Sequence, residues 1–209
     1  MRLQLALDDI SLEDGICLLE TLGDAIDIVE VGTPMIIAYG MEAVRTIRRR
    51  FPKLTITSDA KIMDAGEYEA SQCFEAGADI VTVMGFTHDA TVSGAVAAAS
   101  KFGGAVMADL MCVEDLAERA SALKELGVRY ACVHTAVDVQ NTENPYTALA
   151  RIRSALPGDH CCIAGGISAQ TIPEIAGHNP AIVIVGGGIT KAGDPAAVAR
   201  EIHAKMASL

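Results

Sequence analysis

The stretch Ser58–Gly66, which reads SDAKIMDAG, places two acids and a lysine directly after an apolar run. That run is Leu54–Thr57, and its composition predicts a buried strand. Asp59 and Lys61 are two residues apart, so their side chains point to the same side of an extended backbone. Charged groups arranged in this way form either a solvated rim or a catalytic site.

Ionisable side chains also stand at the ends of other apolar runs. The carboxyl ends of parallel strands meet at one edge, which is where active sites of α/β barrels are built. Four acids, one lysine and one histidine on five predicted strands favour a catalytic site over a solvated rim. The residues are Asp8, Glu30, Asp59, Lys61, Asp109 and His134.

The acidic centre of this set indicates a divalent cation with oxygen ligands. Mg²⁺ prefers carboxylate oxygens together with water and substrate atoms. Glu30 and Asp59 end neighbouring predicted strands and could supply two carboxylates. The cysteines and histidines show no spacing typical of a zinc site. We therefore predict Mg²⁺ as the cofactor, with Mn²⁺ able to replace it.

Two glycine-rich turns, Ala164–Ser168 and Val185–Thr190, follow the last two apolar runs. Glycine lets backbone N–H groups approach an anion closely. In α/β barrels, the loops after strands seven and eight frequently bind phosphate. The pair of turns predicts a phosphorylated substrate, although the glycines could also serve only to make tight turns.

Short apolar runs alternate with segments of helical periodicity along the whole chain, and Gly or Pro marks the boundaries. Eight strands and eight helices predict one (β/α)₈ barrel that occupies residues 1–209. A doubly wound open sheet is the alternative, but no glycine fingerprint follows the first strand. The predicted strands are Leu3–Leu7, Ile26–Val31, Leu54–Thr57, Asp79–Val83, Ala105–Leu110, Tyr130–His134, Cys161–Ala164 and Ala181–Val185. The predicted helices are Leu12–Leu22, Met41–Phe51, Glu67–Ala76, Ala90–Lys101, Leu116–Leu126, Tyr146–Ala155, Ile172–Ala176 and Ala196–Met206.

The composition narrows the possible partners and compartments. The 209 residues carry a formal net charge of -11, which argues against a partner that is nucleic acid or an anionic membrane. The basic triplet Arg48–Arg50 is interpreted as a solvated helix end. The six cysteines form no CxxC pair, and we find neither a signal peptide nor a spanning segment. We expect a cytoplasmic protein with reduced thiols.

Several of these motifs together resemble one known family. They are LALD, DIVEVGTP, SDAKIMDAG, GADIVTV, CVHTAVDVQ, AGGIS and VIVGGGIT. They are similar to the 3-hexulose-6-phosphate synthases, which belong with 3-keto-L-gulonate-6-phosphate decarboxylase (KGPDC) in the suprafamily of orotidine 5'-phosphate decarboxylase. The resemblance implies an aldol-type lyase that condenses formaldehyde with D-ribulose 5-phosphate through an enediolate.

The resemblance also implies a role for each matching residue. Glu30 and Asp59 are expected to bind Mg²⁺, and Lys61 to neutralise the developing enediolate. Asp8 would order Lys61 and substrate, and His134 would shuttle protons. Asp64 would reach the active site of the partner in a homodimer. The amides of Gly166 and of Gly186–Gly187 would hold the phosphate.

Four rim positions distinguish the synthase from KGPDC in this resemblance. The decarboxylases carry Glu, Arg, Thr and Arg where this chain has Asp109, Val137, Ala164 and Gly187. All four residues favour the synthase. Ala136 departs from the glycine that synthases commonly carry there, which leaves the backbone path of that loop open. KGPDC activity is the alternative, and a non-catalytic phosphate-binding barrel is a second alternative.

Overall fold

Eight parallel strands close into a barrel in which each strand pairs with its neighbours in sequence and the last pairs with the first. The computed structural model describes residues 1–140 and 145–208. The strands are β1 (Arg2–Leu7), β2 (Ile28–Val31), β3 (Thr55–Ile62), β4 (Ile80–Met84), β5 (Ala105–Asp109), β6 (Tyr130–His134), β7 (Cys161–Ala164) and β8 (Ile182–Val185). The predicted (β/α)₈ barrel is confirmed, and the doubly wound alternative is wrong.

Helices follow the strands and surround the barrel. Side-chain carboxylates or hydroxyls cap three of them, as at Ser11, Asp115 and Asp194, each accepting a backbone N–H of the first turn. The helices in the described ranges are α1 (Leu12–Leu22), α2 (Thr33–Tyr39), α3 (Glu42–Arg50), α4 (Gly66–Glu75), α5 (Asp89–Phe102), α6 (Leu116–Glu125), α7 (Pro145–Arg153), α8 (Ile172–Ala176), α9 (Gly187–Thr190) and α10 (Pro195–Ala207). Within those ranges, none of the helices has the length and hydropathy needed to cross a bilayer.

Two short helices were not predicted from the sequence. Helix α2 begins directly after the barrel strand β2, with Pro34 in its first turn and Gly40 at its end. Helix α9 is a single turn inside the second glycine-rich segment. The sequence pattern did not show them, because Gly32 and Pro34 at the start of α2 and the glycines of α9 are residues that also mark turns.

The hydrophobic core has two layers. The outer layer lies between the barrel and its helices and includes Leu3, Leu5 and Leu7 of β1. The inner layer fills the barrel with Ala6, Ile28, Ile80, Met107, Tyr130, Cys132, Cys162, Ala164, Ile182 and Ile184. Arg2 closes the N-terminal end by donating a hydrogen bond of 2.6 Å to the Tyr130 hydroxyl. Because apolar side chains fill the middle of the barrel, the predicted acids, Lys61 and His134 lie toward its C-terminal end.

Strand β3 continues to Ile62 instead of ending at Thr57 as predicted. Its pairing with β4 shifts register between Ser58 and Ile62, and Lys61 has a positive φ of 48°. This bulge keeps the polar residues within the strand while Ile62 returns to the outer core, fully covered by its own chain. Asp59 and Lys61 were expected at the end of this strand and Asp64 beyond it, as the structure has them, whereas the apolar run Leu54–Thr57 predicted too early an end.

The basic triplet at the end of α3 divides into two kinds of residue. Arg49 and Arg50 lie at the surface and pair with Glu42 and Glu20, as expected of a solvated helix end. Arg48 instead donates hydrogen bonds of 2.9 Å to the carbonyl oxygens of Gly77 and Leu54. The interpretation of Arg48 as solvated was wrong, because its guanidinium joins α3 to the loops that precede β3 and β4.

Candidate active site

Asp59 is fixed from two sides at the C-terminal end of β3. The Thr33 hydroxyl of α2 lies 2.8 Å from Asp59 Oδ2 and 2.8 Å from its carbonyl oxygen. The Thr82 hydroxyl of β4 donates to Oδ1 at 2.8 Å. Because two threonines on neighbouring elements hold the buried carboxylate, its remaining lone pairs have a defined direction.

Lys61 stands beside this carboxylate as a result of the β3 bulge. Its backbone N–H donates to the Thr82 hydroxyl at 2.9 Å, and its ammonium group contacts Asp59 Oδ2. Asp109 Oδ2 lies 3.6 Å from the same Nζ. Burial alone would lower the pKa of Lys61, but the carboxylates of Asp59 and Asp109 more than offset it and raise the pKa above its ordinary value. Lys61 therefore stays protonated.

Asp109 and His134 form a hydrogen-bonded pair on β5 and β6. His134 Nδ1 lies 2.7 Å from Asp109 Oδ2, and the Met111 backbone N–H donates to Oδ1 at 2.9 Å. Burial alone would raise the pKa of Asp109, but the hydrogen bond to His134 and the charge of Lys61 outweigh it and lower the pKa. An ionised Asp109 requires a proton on Nδ1, so Nε2 is the imidazole nitrogen left for proton transfer.

Glu30 on β2 is buried and has a neutral hydrogen-bond donor. The Thr57 hydroxyl donates to Gln4 Oε1 at 3.1 Å, which turns the Gln4 NH₂ group toward Glu30 Oε2, where it donates. Burial, followed by the charges of Asp59 and Asp8, raises the pKa of Glu30 well above its ordinary value. Ionised Glu30 thus lies in a place that favours an additional positive charge.

Asp8 occupies a narrow gap between two glycines at the end of β1. A Cβ on Gly32 would stand 2.0 Å from Asp8 Oδ1, and one on Gly186 would stand 3.3 Å from Oδ2. Burial and then the charge of Asp59 raise the pKa of Asp8, while Lys61 acts in the opposite direction. Glycine at position 32 is therefore required to admit this carboxylate, a reason that the sequence pattern did not reveal.

Glu30 and Asp59 are two carboxylates of the same cavity that could hold a divalent cation. Glu30 pairs in register with Thr57, so Asp59 follows two residues later on the same face of the neighbouring strand. In the described ranges no group of three or more His, Cys, Asp or Glu side chains has an arrangement that could hold a metal. A cation bound here would therefore take two carboxylates from the protein and complete its shell with water and substrate oxygens.

The loop after β7 packs through glycines against the loops after β6 and β8. A Cβ on Gly165, which has a φ of 97°, would stand 2.3 Å from the Thr135 carbonyl oxygen. A Cβ on Gly188 would stand 2.5 Å from the carbonyl oxygen of Ile167. No side chain fits at either position, so the three loops form one continuous wall of backbone.

Gly166 and Gly187 present this wall to open space, and Gly186 faces Asp8. A Cβ on Gly166 would meet nothing closer than Gln140 at 3.8 Å, and one on Gly187 nothing closer than Lys191 at 3.5 Å. These three glycines line a cavity of about 780 Å³ at the C-terminal end of the barrel, here called the mouth cavity. Its lining also includes Asp8, Glu30, Asp59, Lys61, Asp109 and His134. Nine of the ten predicted site residues therefore share one cavity.

Asp64 is the exception. It lies past the end of β3, is exposed, and accepts a hydrogen bond of 2.7 Å from the Ala65 backbone N–H. It is absent from the described residues that line the mouth cavity. Its neighbour Met63 is exposed, whereas Ile62 packs inside its own chain, so only one of the two apolar residues thought to mark a partner surface is available for one.

Four polar residues of the site were not predicted from the sequence: Gln4, Thr33, Thr57 and Thr82. Gln4, Thr57 and Thr82 lie inside strands, at positions whose alternation places them on the inner face of the barrel. A polar residue inside a run that should be buried was the available signal. Thr33 gave none, because its contact with Asp59 depends on the unpredicted helix α2.

Comparisons with known proteins identify the family to which this chain is similar. The family model described as "Orotidine 5'-phosphate decarboxylase / HUMPS family" matches residues 1–202. The 3-hexulose-6-phosphate synthase of Bacillus subtilis (strain 168) is 44% identical over 203 residues, which is 97% of each chain. The crystal structure of 3-hexulose-6-phosphate synthase from Salmonella typhimurium has a TM-score of 0.96 and 39% identity, covering 100% of this chain and 99% of that one. A crystal structure of KGPDC from Streptococcus mutans has a TM-score of 0.91 and 26% identity, covering 99% of this chain and 97% of that one.

The raised pKa of Glu30 predicts that this residue destabilises the metal-free fold. A carboxyl group whose pKa is higher in the folded chain contributes less stability as the pH rises above the pKa of the unfolded chain. At about pH 8, the melting temperature of metal-free Glu30→Gln should therefore exceed that of the wild type by a few degrees. One kcal/mol of stability corresponds to about 2–4 °C in a domain of this size. The difference should shrink toward about pH 4, near the ordinary pKa of Glu.

Differential scanning calorimetry in the presence of a chelator measures this difference. Glu125→Gln, at the exposed end of α6, is the matched control and should leave the melting temperature unchanged. A Glu30→Gln protein that melts below the wild type at every pH would contradict the electrostatic account of Glu30.

Proposed function

The chain belongs to the orotidine 5'-phosphate decarboxylase / HUMPS family, and from this premise we propose that it performs the reaction of the 3-hexulose-6-phosphate synthases. That reaction joins formaldehyde to D-ribulose 5-phosphate, reversibly, and forms D-arabino-3-hexulose 6-phosphate. The observation that carries the proposal is the full-length similarity to the curated Bacillus subtilis synthase. We propose the cytoplasm as its location, since its substrate is a phosphorylated sugar.

The backbone at Gly166, Gly186 and Gly187, here called the glycine wall, orients the substrate in the mouth cavity. We assign the phosphate to the backbone at Gly166, Gly186 and Gly187, because the space in front of Gly166 and Gly187 is open. The other end of ribulose 5-phosphate, with its C1 hydroxymethyl group and C2 ketone, then faces Lys61 across the cavity. Binding of the phosphate thus positions the reacting carbon beside the charged cluster.

Proton removal from C1 is the first chemical step in this proposal. His134 Nε2 is available to accept the proton, because Nδ1 is held at 2.7 Å by Asp109. The protonated Lys61 stabilises the negative charge that develops on the oxygens of the enediolate. Asp8 opposes Lys61 across the cavity and is proposed to order both the ammonium group and a substrate hydroxyl.

Glu30 and Asp59 would hold the magnesium ion that this chemistry uses. When bound, Mg²⁺ supplies a Lewis acid that lowers the cost of negative charge on substrate oxygens. The protein prepares for this by fixing Asp59 with two threonines and Glu30 with Gln4. Mn²⁺ is expected to substitute, since it also prefers oxygen ligands.

Carbon–carbon bond formation completes the reaction. The C1 carbon of the enediolate attacks the carbonyl carbon of formaldehyde, and the formaldehyde oxygen gains the electron pair. The proton that His134 took from C1 is returned to that oxygen, so no other acid or base is consumed. The reverse reaction uses the same groups in the opposite order.

Decarboxylation of 3-keto-L-gulonate 6-phosphate is the rival within the same family. Its substrate carries an additional carboxylate, which requires a cation at the rim of the cavity. Among the described residues lining the mouth cavity, Val137, Ala164 and Gly187 occupy the positions where the resemblance expects the decarboxylase side chains. The absence of arginine at positions 137 and 187 favours the aldehyde as the second substrate. A non-catalytic phosphate-binding barrel is disfavoured, because it would not need the Lys61 and His134 clusters.

We propose that the protein acts as a homodimer in which Asp64 completes the partner's site. Large apolar side chains are exposed on α2, α4 and the loops after β3 and β4, which are the elements around Asp64. They are Ile37, Tyr39, Met63, Tyr68 and Phe86, and the exposed fractions of Ile37 and Tyr68 are 81% and 70%. A monomer rarely exposes so many large apolar residues around one region, so a second copy is the proposed cover.

The activity is tested by mixing ribulose 5-phosphate, formaldehyde and Mg²⁺ with the purified enzyme. Formaldehyde should disappear in step with ribulose 5-phosphate, and a chelator should abolish the reaction until Mg²⁺ or Mn²⁺ is added. A parallel assay with 3-keto-L-gulonate 6-phosphate should release carbon dioxide far more slowly. Full activity in the chelated enzyme would contradict the metal site, and faster decarboxylation than condensation would contradict the synthase assignment.

The shared site is tested by complementation between two inactive variants. Asp64→Asn and Lys61→Ala should each be nearly inactive alone. Refolded together, they should recover about a quarter of wild-type activity per site, because half of the dimers are mixed and one site in two is intact. Enzyme activity after co-refolding, with native mass spectrometry to count mixed dimers, measures the recovery.

Glu30→Gln mixed with Lys61→Ala is the matched control for this experiment. Both residues line the mouth cavity of their own chain, so each site of the mixed dimer lacks one of them and no activity should return. If mixed dimers of the Asp64 and Lys61 variants form and stay inactive, Asp64 acts within its own chain.

A further inference from the structure

The described lining of the mouth cavity contains far more negative than positive side chains. Its two lysines are Lys61 and Lys191, and its six acids are Asp8, Asp9, Glu30, Asp59, Asp109 and Asp138. A sugar phosphate brings a further charge of nearly -2 into this cavity. Lys61 is occupied by Asp59 and Asp109 at the reacting end, so the phosphate end needs a cation of its own.

Lys191 is placed at that end. It follows directly after the single turn α9, and its aliphatic chain lies along Gly187. A Cβ on Gly187 would stand 3.5 Å from Lys191 Cδ and 3.7 Å from Cε. The ammonium group of Lys191 can therefore reach the glycine wall. The glycine wall itself carries no cationic side chain.

Asp9 holds Lys191 at the edge of the cavity. Lys191 Nζ lies 2.8 Å from Asp9 Oδ2, and the side chains are 65% and 67% exposed. The hydrogen bond that Lys191 donates to Asp9 raises the pKa of Lys191, so the amine stays charged. An exposed pair of this kind is weak, because water competes for both groups.

We propose that Lys191 is a phosphate-binding residue that exchanges Asp9 for the phosphate of the substrate. The inference rests on the proposed function, since it adds a side-chain cation to the backbone site assigned there. A phosphate offers a larger charge and several oxygens, so it forms stronger charge-assisted hydrogen bonds than one exposed carboxylate does. The long flexible stem of lysine permits the exchange without movement of α9.

Two substitutions separate a binding role from a structural one. Lys191→Ala should raise the KM for ribulose 5-phosphate about tenfold, the effect of one charge-assisted hydrogen bond, with kcat changed much less. Asp9→Asn should lower the KM, because it releases Lys191 and removes a repelling charge. If the pair only braces the rim, both substitutions should instead raise the KM.

The measurements are steady-state kinetics and calorimetric titration of the intact enzyme with ribulose 5-phosphate and with inorganic phosphate. Lys191→Arg should restore most of the affinity, and Lys53→Ala, an exposed lysine in the loop before β3, should change nothing. Lys191→Gln replaces Lys191→Ala if the latter does not fold. In the double variant of Lys191→Ala and Asp9→Asn, the gain from Asp9→Asn should largely disappear.

The outcomes distinguish this inference from the proposed function. If the wild type binds ribulose 5-phosphate but does not condense it with formaldehyde, and Lys191→Ala weakens that binding, the Lys191 inference stands and the synthase assignment fails. If condensation occurs and Lys191→Ala leaves both the KM and the affinity for phosphate unchanged, the Lys191 inference is overturned. It is overturned as well if the wild type binds neither molecule.

Discussion

The ammonium group of Lys61 is the positive charge around which the end of the barrel is organised. Asp59 and Asp109 contact it directly, and Glu30 and Asp8 lie close enough for their pKa values to respond to it. Four carboxylates cannot share one lysine without a cost in repulsion and desolvation. The threonines, Gln4 and the glycine beside Asp8 are the structural means by which the fold keeps these groups in place.

The barrel could be predicted because strands buried on both faces appear as short apolar runs separated by helical periodicity. Local irregularities of the strands and helices could not be predicted in this way. The extension of β3 depends on the bulge at Lys61, and a bulge has no hydrophobic period of its own. Helices α2 and α9 were missed because the residues at their start, Gly32 and Pro34 in one case and glycines in the other, are also typical of turns.

The charged residues of the site could be predicted because strand ends converge at one rim in a barrel. The supporting polar residues were harder, since Thr33 and Thr82 acquire their importance only from distances to Asp59. Asp64 illustrates a different limit. A single chain shows that it lies outside the mouth cavity, whereas its proposed role depends on a second copy of the chain.

In the proposed reaction, Lys61 and His134 allow a proton to leave C1 of ribulose 5-phosphate before any aldehyde is present. Proton NMR in D₂O, with enzyme and Mg²⁺ but no formaldehyde, tests it directly. The account predicts that one of the two C1 protons is replaced by deuterium and that Lys61→Ala abolishes the exchange. Retention of both C1 protons under conditions where ribulose 5-phosphate is bound would contradict it.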